Sequence, residues 1–293
     1  ELAAHLQRQG VAADGRTLSG DIRRLRESGL AIERLPRRGG YYLAWRAFDS
    51  AEVRLLADMV RASRALTGAQ SEALVQKLCG LVSRHEAAYI LTGAVSAPRR
   101  PPEGQNALEA IRLVTEALAA GRRFAFRYCH IAPDRMLRPR YGGREYAVSP
   151  CLMVYAGEYA YLIAGHPLNE GLAHYRLDRM AQARVLDEPA APLDPAFDAA
   201  AYAAALFSMV PGEQRWVRLA FDRALFEAMA DRFGTDAPVM ELDEQTLAVC
   251  APVRVSAPFF GWVFQFGGRV RILAPEDVRE RMALMLEAAR AQK

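Results

Sequence analysis

Domains usually span roughly 100–200 residues, so a chain of 293 residues should hold about two or three compact units. With 52% hydrophobic and 25% charged residues, and no apolar run near the ~20 residues of a membrane helix, the composition predicts a cytoplasmic protein without a membrane partner. The net charge of +4 lies wholly in residues 1–46, which hold nine Arg against five Asp or Glu; this indicates nucleic-acid binding or a solvated surface.

The first elements predict a winged helix-turn-helix over residues 1–46. Leucine and isoleucine recur at helical spacing on both sides of a break at residues 10–15, and Asp14 can cap the second helix. Residues 32–35 and 41–43 have the character of two strands joined by a hairpin tip, the wing. A three-helix DNA-binding fold needs one more helix, which we expect ahead of Glu1.

The second of these helices is the candidate recognition helix. Such a helix enters the major groove with its N-terminal residues foremost, while a wing reaches the backbone or the minor groove. The predicted partner is double-stranded operator DNA; the alternative is that Thr17 only helps the cap and the arginines are solvated. The candidate DNA-binding residues are Arg16, Thr17, Ser19, Arg23 and Arg24 on the helix and Arg37 and Arg38 in the wing.

Three further segments follow, and together they make the chain an α+β multidomain protein. Residues 47–103 predict a connector of two or three helices and a proline-rich linker. Residues 104–190 predict a helix and then a small β-barrel or sheet, and residues 191–293 a compact α+β unit. The main strands are expected at 123–130, 145–154, 159–165, 173–177, 216–221 and 246–255, with strand or mixed structure at 259–266 and 269–273, and helices at 106–120, 223–232 and 275–291.

Arginines and aromatic residues alternate in one part of the predicted β segment. Seven arginines between residues 121 and 148 face only Asp134 and Glu145, and five Phe or Tyr residues lie among them. This composition suits an anionic ligand with bases that can stack. The alternative is that strand alternation sends most of the aromatic rings into the core.

Three motifs in order resemble the WYL-domain family of bacterial transcriptional regulators. They are Tyr146–Pro150, Gly157–Ile163 and His174–Met180, with Ala160 at the position of the family's eponymous tryptophan. Residues 17–22 and 39–43 are similar to the family's DNA-binding half, and residues 259–281 to its C-terminal extension. The resemblance implies an Sm/SH3-like β-barrel WYL domain between a winged helix-turn-helix and a small α+β domain that dimerises.

The resemblance also implies a ligand surface on this domain. In the family the arginines of the third motif line it together with the tyrosine of the second, here Tyr161. A regular strand would send Arg176 and Arg179 to opposite faces, unless it ends by Asp178, and a salt bridge from Asp178 to an arginine is the competing explanation. The candidate ligand-binding residues are Arg144, Ser149, Tyr161, His166, Tyr175, Arg176 and Arg179. The expected effector is a single-stranded oligonucleotide or a nucleotide second messenger.

No catalytic or metal-binding motif is recognisable, so we expect neither enzyme activity nor a cofactor. The five histidines are scattered singly, and the four cysteines are too far apart for a zinc site or a disulfide framework. The sequence therefore predicts a homodimeric DNA-binding transcriptional regulator that senses a ligand. The candidate dimer surface is the cluster Phe259–Trp262 with the last helix; the alternative is that these residues belong to the core. The alternative function is a nucleic-acid-binding accessory or interaction protein without a transcriptional role.

Overall fold

The structure is a computed structural model that describes residues 2–35, 40–92, 107–166 and 171–291. The chain divides into two compact units, Glu1–Ser63 with Gly68–Pro98 and Arg64–Thr67 with Arg99–Lys293. Both helices and sheets are present, as a mixed α/β protein requires. A search of the described residues finds no helix that is long and apolar enough to cross a membrane.

The first unit begins with two helices and a hairpin in the predicted order. These are α1 (Leu2–Arg8), α2 (Gly15–Glu27), β1 (Ile32–Arg34) and β2 (Tyr41–Leu43). The strands are antiparallel, with Ile32 opposite Leu43. Arg26, in the last turn of α2, donates from Nε to the carbonyl oxygen of Ile32 at 2.6 Å, which ties the helix to the hairpin.

Three helices complete the first unit: α3 (Ser50–Ala62), α4 (Gly68–Cys79) and α5 (Arg84–Leu91). Val53, Val75 and Ile90 are buried where they meet. Ser83 and Glu86 form a reciprocal cap at the start of α5, and hydrogen bonds from Ser83, with a further one from Arg46 at 2.6 Å, lower the pKa of Glu86 to about 2. Arg46 thereby joins the segment after the hairpin to α5.

The second unit begins with α6 and a six-stranded antiparallel sheet. Its elements are α6 (Ala107–Ala120), β3 (Arg122–Ile131), β4 (Leu137–Pro139), β5 (Glu145–Ala156), β6 (Tyr159–Gly165), β7 (Leu172–Arg176) and β8 (Met180–Pro189). The strand order is β4-β3-β5-β6-β7, and β8 pairs with β3. Val114 on α6 packs against the sheet with Phe124, Phe126 and Leu162, all fully buried.

The expected closed barrel is not formed. Among the described residues β7 pairs only with β6 and β8 only with β3, so no ladder joins the two ends of the sheet. The chain passes from β7 to β8 through a 3-10 turn, Leu177–Arg179, and β8 then pairs with β3 and not with β7. The arrangement is an open sheet covered by α6 on one face.

The second unit ends with a four-stranded antiparallel sheet and its helices. The elements are α7 (Ala199–Ala204), β9 (Glu213–Asp222), α8 (Phe226–Phe233), β10 (Val239–Glu241), β11 (Thr246–Val255), α9 (Ala257–Phe264), β12 (Val270–Ala274) and α10 (Glu276–Arg290). The strand order is β10-β11-β9-β12. One face of the sheet carries the core residues Val217, Leu219 and Phe221, which pack with Phe259 of α9 and Val278 of α10.

Two expectations about residues 259–266 were wrong. Instead of strand or mixed structure, most of this stretch lies in α9, whose first turn contains Pro258. The rings of Phe259 and Phe260 are buried in the core, so they cannot form the dimer surface that the sequence suggested. The exposed apolar side chains nearest the end of the described chain are on α10, where Leu284 is 63% exposed beside Met285 and Leu286.

Candidate functional site

The exposed face of α2 carries all five helical residues that the sequence analysis selected. Its start is fixed by Asp14, whose carboxylate accepts the backbone N–H groups of Arg16 at 3.0 Å and Thr17 at 2.7 Å. These bonds, led by the one from Thr17, hold the pKa of Asp14 below its ordinary value. Ser19 donates its hydroxyl to the carbonyl oxygen of Gly15 at 2.8 Å.

Arg16 and Arg23 lie in line on that face. Seven residues are almost two helical turns, so their side chains point in nearly the same direction, whereas Ile22 turns inward and is buried. Neither arginine forms an ion pair within the described ranges. Arg24 forms a long one, with 3.4 Å between a terminal guanidinium nitrogen and Oδ1 of Asp21. The wing residues Arg37 and Arg38 lie outside the described residues.

In the second unit, Tyr161 on β6 is the direct cross-strand partner of Arg176 on β7. The strand ends at Arg176, and the 3-10 turn Leu177–Arg179 follows at once, so Arg179 lies one tight turn further along the chain. Burial raises the pKa of Tyr161, and the charges of Arg176 and Arg179 oppose that rise. Tyr161, Arg176 and Arg179, three of the seven predicted ligand-binding residues, are therefore close enough to interact electrostatically.

Arg176 is largely occupied by contacts within the protein. Its Nε and one terminal nitrogen donate to the two carboxylate oxygens of Asp178 at 3.0 and 2.6 Å, and the side chains are 17% and 2% exposed. Its guanidinium carbon lies 3.3 Å from the ring centroid of Tyr159, and its backbone N–H donates to the Tyr128 hydroxyl at 3.1 Å. Burial lowers the pKa of Arg176, but Asp178 outweighs burial and the net shift is upward. The competing explanation, a salt bridge from Asp178, is therefore present.

Arg179 is placed differently. Its Nε is buried and has no hydrogen-bond partner within the part of the chain that the structure describes. A buried donor without an acceptor costs free energy, on the order of 1–3 kcal/mol. An anionic oxygen supplied by a ligand would satisfy this donor, so Arg179 is the better placed of the two arginines to bind one.

A second group of cations lies on the connection between β4 and β5. The guanidinium carbon of Arg140 is 5.7 Å from the ring centroid of Tyr128, and that of Arg144 is 5.9 Å from the ring of Tyr146. Both arginines are exposed, and the two tyrosine rings are 6.4 Å apart. Such pairs orient the guanidinium group on the ring face.

Tyr175 belongs to the core beneath these groups. Its ring centroid lies 5.0 Å from that of Phe126 and 5.3 Å from that of Tyr128, and the residue is buried. Burial, with smaller contributions from Tyr146 and Tyr128, raises its pKa to about 12. The structure places Tyr175 where it supports the aromatic cluster from below.

Ser149 and His166 stand apart from the Tyr161 group. The Ser149 hydroxyl is buried and accepts the backbone N–H of Ala191 at 2.9 Å. Both residues line a cavity of about 480 Å³, whose other lining residues are Arg123, Gly165, Gly171, Pro189, Ala190 and Ala191. The His166 ring is 6.1 Å from that of Tyr146.

The residue at the eponymous tryptophan position faces the core. Ala160 is 2% exposed and packs under α6, on the opposite face of β6 from Tyr159 and Tyr161. Replacement of tryptophan by alanine at this position therefore changes core volume on the α6 side of the sheet. The tyrosines on the other face remain available to the arginines.

His174 connects β7 to the segment that contains α7. Its Nδ1 is 2.7 Å from the carbonyl oxygen of Met209, and its Nε2 is 2.8 Å from the Tyr202 hydroxyl. Burial lowers the pKa of His174, and the charge of Arg254 lowers it further. Arg254 itself lies over the Tyr202 ring, 4.1 Å from the centroid. The contacts of His174 with Met209 and Tyr202 therefore fix β7 two residues before Arg176.

Sequence reasoning did not select several residues that the structure brings to this surface. They are Tyr128, Arg140, Tyr146 and Tyr159, whereas Asp178 had been considered as the partner of a salt bridge. The run of arginines and aromatic residues contained three of them, but only the pairing of β3 with β5, which places Phe126 opposite Tyr146, shows which rings adjoin which arginines. A search for three or more His, Cys, Asp or Glu side chains able to hold a metal ion found none in the described segments.

The comparisons with known protein families find two matches, both within the second unit. Residues 109–185 match the model of the WYL domain, and residues 213–290 match the model of the WCX domain. No curated protein matches the chain.

The chain is also similar to solved structures, including the following two. Proteasome accessory factor B/C (PafBC) of Arthrobacter aurescens is 24% identical, with a TM-score of 0.30, and the match covers 84% of this chain and 36% of PafBC. This chain therefore spans about a third of the PafBC chain. A CRISPR Cas-related protein is 12% identical, with a TM-score of 0.36 and coverage of 85% of this chain and 75% of that one.

Proposed function

We propose that this chain, which carries a WYL domain and a WCX domain, is a DNA-binding transcriptional regulator whose WYL domain senses a nucleic acid or nucleotide. One observation carries the proposal. Arg16 and Arg23 of the first unit lie on one exposed helix face and form no ion pair within the described residues, and the second unit carries Arg179, whose charge acts on Tyr161, within a WYL domain.

The proposed DNA contacts begin at the capped end of α2. A helix fixed at its first turn can hold Arg16, Thr17 and Ser19 toward a groove, and Arg23 and Arg24 would follow one to two turns later. Lys and Arg side chains that neutralise phosphates gain affinity by releasing counterions. The net charge of +4 in residues 1–46 supports this role, and Arg37 and Arg38 are proposed as wing contacts to the backbone or minor groove.

We place the dimer contact on α10. The second half of this helix is exposed along its length, and it presents Leu284, Met285 and Leu286. A helix of this length depends on tertiary contacts for most of its stability, so an uncovered apolar half favours a partner helix. Two copies related by a two-fold axis would match palindromic half-sites about one helical turn of DNA apart.

The proposed sensor site comprises Tyr161, Arg176 and Arg179. Arg179 would donate to a phosphate oxygen, and the pair of Arg176 with Asp178 would fix the turn that carries it. Charge-assisted hydrogen bonds are roughly twice as strong as neutral ones, which suits an anionic effector. Ser149, His166 and Tyr175 support the surrounding structure in this proposal, and Arg144 belongs to the neighbouring cationic group.

The experiment is a selection of duplexes from a random-sequence library by the full chain, followed by fluorescence anisotropy with the selected duplex. We expect a consensus site with a Kd in the specific range, about 10⁻⁸–10⁻¹¹ M, and a change in that Kd when a short oligonucleotide is added. A selection without any consensus, with binding that depends on salt alone, would contradict the proposal and favour a nucleic-acid-binding accessory protein.

A further inference from the structure

A groove runs between α8 and α9, in the part of the second unit that matches the WCX domain. Its volume is about 620 Å³, within the roughly 300–1,000 Å³ of small-molecule sites. Each side of the groove contributes residues at i, i+3 and i+4, the spacing that places side chains on one helix face. The lining residues are Ala228, Asp231 and Arg232 of α8, and Trp262 of α9 with Gln265 and Phe266 just beyond its end.

One wall of the groove is aromatic. The ring centroid of Trp262 lies 5.2 Å from that of Phe266, and the two planes are nearly perpendicular, at 78°. Trp262 also packs against Phe207 and Phe233, with 5.5 Å between ring centroids in both pairs. Because Trp262 and Phe266 are only partly buried in this cluster, they offer a rigid apolar surface to a ligand.

Arg232 places a fixed positive charge beside this wall. Its guanidinium carbon lies 3.8 Å from the ring centroid of Phe207, and its two terminal nitrogens donate to the carbonyl oxygens of Ala204 at 3.2 Å and Leu206 at 3.0 Å. Burial lowers the pKa of Arg232, but an arginine stays charged in proteins. Among the described residues no carboxylate pairs with it, and a guanidinium has further N–H donors to offer.

Asp231 places a negative charge in the same groove. It is exposed, and within the described part of the chain its carboxylate forms neither a hydrogen bond nor an ion pair. It does not neutralise Arg232, whose guanidinium is held over Phe207. A ligand with only a negative charge would meet the like charge of Asp231, and one with only a positive charge would meet Arg232. The groove therefore favours a ligand that carries both charges.

We propose that this groove binds a free α-amino acid with a large apolar side chain. Such a molecule carries a carboxylate and an ammonium group on one carbon. The carboxylate accepts N–H groups of Arg232, the ammonium donates to Asp231, and the side chain lies against Trp262 and Phe266. The proposal goes beyond the DNA-binding and nucleotide-sensing function, because it gives the chain a second effector site of different chemistry.

The test is calorimetric titration of the full chain with L-phenylalanine, L-tryptophan, L-leucine and L-alanine. We expect at least one of the first three to bind about tenfold or more tightly than L-alanine, since it buries a larger apolar side chain. Two analogues of the tightest binder follow, one without the amino group and one without the carboxyl group. Each should bind about tenfold more weakly, because each loses a charge-assisted hydrogen bond.

Two variants assign the charges to the two ends of the ligand. Asp231→Asn should abolish the preference for the amino acid over the analogue without the amino group. Arg232→Gln should abolish the preference over the analogue without the carboxyl group. Glu227→Gln is the matched control, because it removes an exposed carboxylate one turn earlier on α8 that does not line the groove. Its affinities should equal those of the wild type.

Thermal unfolding of each variant would show whether the fold is intact. If Arg232→Gln unfolds because its contacts with Ala204 and Leu206 are lost, Asp231→Asn still decides, since Asp231 is exposed and forms no side-chain contact of this kind among the described residues. Three results would overturn the proposal. They are the absence of binding by all three apolar amino acids, an analogue without the amino group that binds as tightly as the amino acid, and an Asp231→Asn variant that behaves like Glu227→Gln.

Discussion

Asp178 holds Arg176 with both carboxylate oxygens, and the pair is shielded from water by Tyr159, whose ring centroid lies 3.3 Å from the guanidinium carbon. The charges are separated by a single residue in sequence, and a 3-10 turn makes the contact possible. This pair fixes the junction of β7 with the turn that carries Arg179. Arg176 is therefore a positioning residue in our account, and Arg179 the ligand contact.

Asp178→Asn should destabilise the second unit strongly. Removal of one partner from a buried ion pair leaves the other charge unpaired, at a cost of about 3–5 kcal/mol. Urea unfolding would measure the loss. Arg112→Ala, which breaks the exposed contacts of Arg112 with Glu109 and Glu116, should change the stability far less. Equal stability losses in the two variants would show that the Arg176–Asp178 pair does not hold the turn.

Arg16→Ala and Arg23→Ala should weaken binding of the selected duplex, each by about 1–3 kcal/mol where the side chain reads a base and by less where it contacts only phosphate. Arg84→Ala removes the same charge from an exposed position on α5 and serves as the control. Anisotropy titrations at physiological salt provide the measurement. Unchanged affinity in both α2 variants would remove α2 from the DNA interface.

His174 should make the stability of the second unit depend on pH. Its folded pKa lies below the unfolded value of about 6.5. Between these values the unfolded chain binds more protons, so stability rises with pH and is lost as pH falls below about 6.5. His174→Gln keeps polar groups toward Met209 and Tyr202 but cannot titrate. The difference in urea midpoint between about pH 7.5 and pH 5 should be smaller in this variant; an identical difference would exclude His174 as the cause.

Leu284→Asp should convert the proposed homodimer to monomers, because it places a charge in the apolar strip of α10 that we assign to the two-fold contact. Light scattering at micromolar concentration would give the mass of each species. Glu280→Lys, a change of charge on an exposed residue of the same helix, should leave the dimer intact. A wild type that is monomeric under these conditions would contradict the dimer proposal outright.

Sequence periodicity predicted most helices and strands but not the geometry around Arg176. Alternation alone would place Arg176 and Arg179 on opposite faces, and the sequence left open whether the strand ends by Asp178. It ends at Arg176, where Tyr161 of β6 is its partner. Where a strand ends depends on its neighbour's register, which the sequence of one strand does not contain. The same holds for the pairs of Arg140 with Tyr128 and Arg144 with Tyr146, since the pairing of β3 with β5 is needed to bring Tyr128 near Tyr146.

Two segments were misjudged for different physical reasons. β8 was missed because its alternation is weak: Met180 and Ala181 are both partly buried, as are Val185 and Leu186, and the end of the strand is charged. The stretch at 259–266 is apolar on nearly all sides, and a fully buried helix and a buried strand then look alike. Pro258 at the start of α9 was the available signal for a helix.

DNA binding and ligand sensing are separate functions of this chain in our proposal. The most direct test of this separation is fluorescence anisotropy of the selected duplex with and without a single-stranded thymidine hexanucleotide, in the wild type and in Arg179→Ala. We predict that the oligonucleotide changes the duplex Kd of the wild type. Arg179→Ala should bind the duplex with wild-type affinity in the absence of the oligonucleotide and should not respond when it is added. A wild type that does not respond, or an Arg179→Ala variant that responds as the wild type does, would contradict the account.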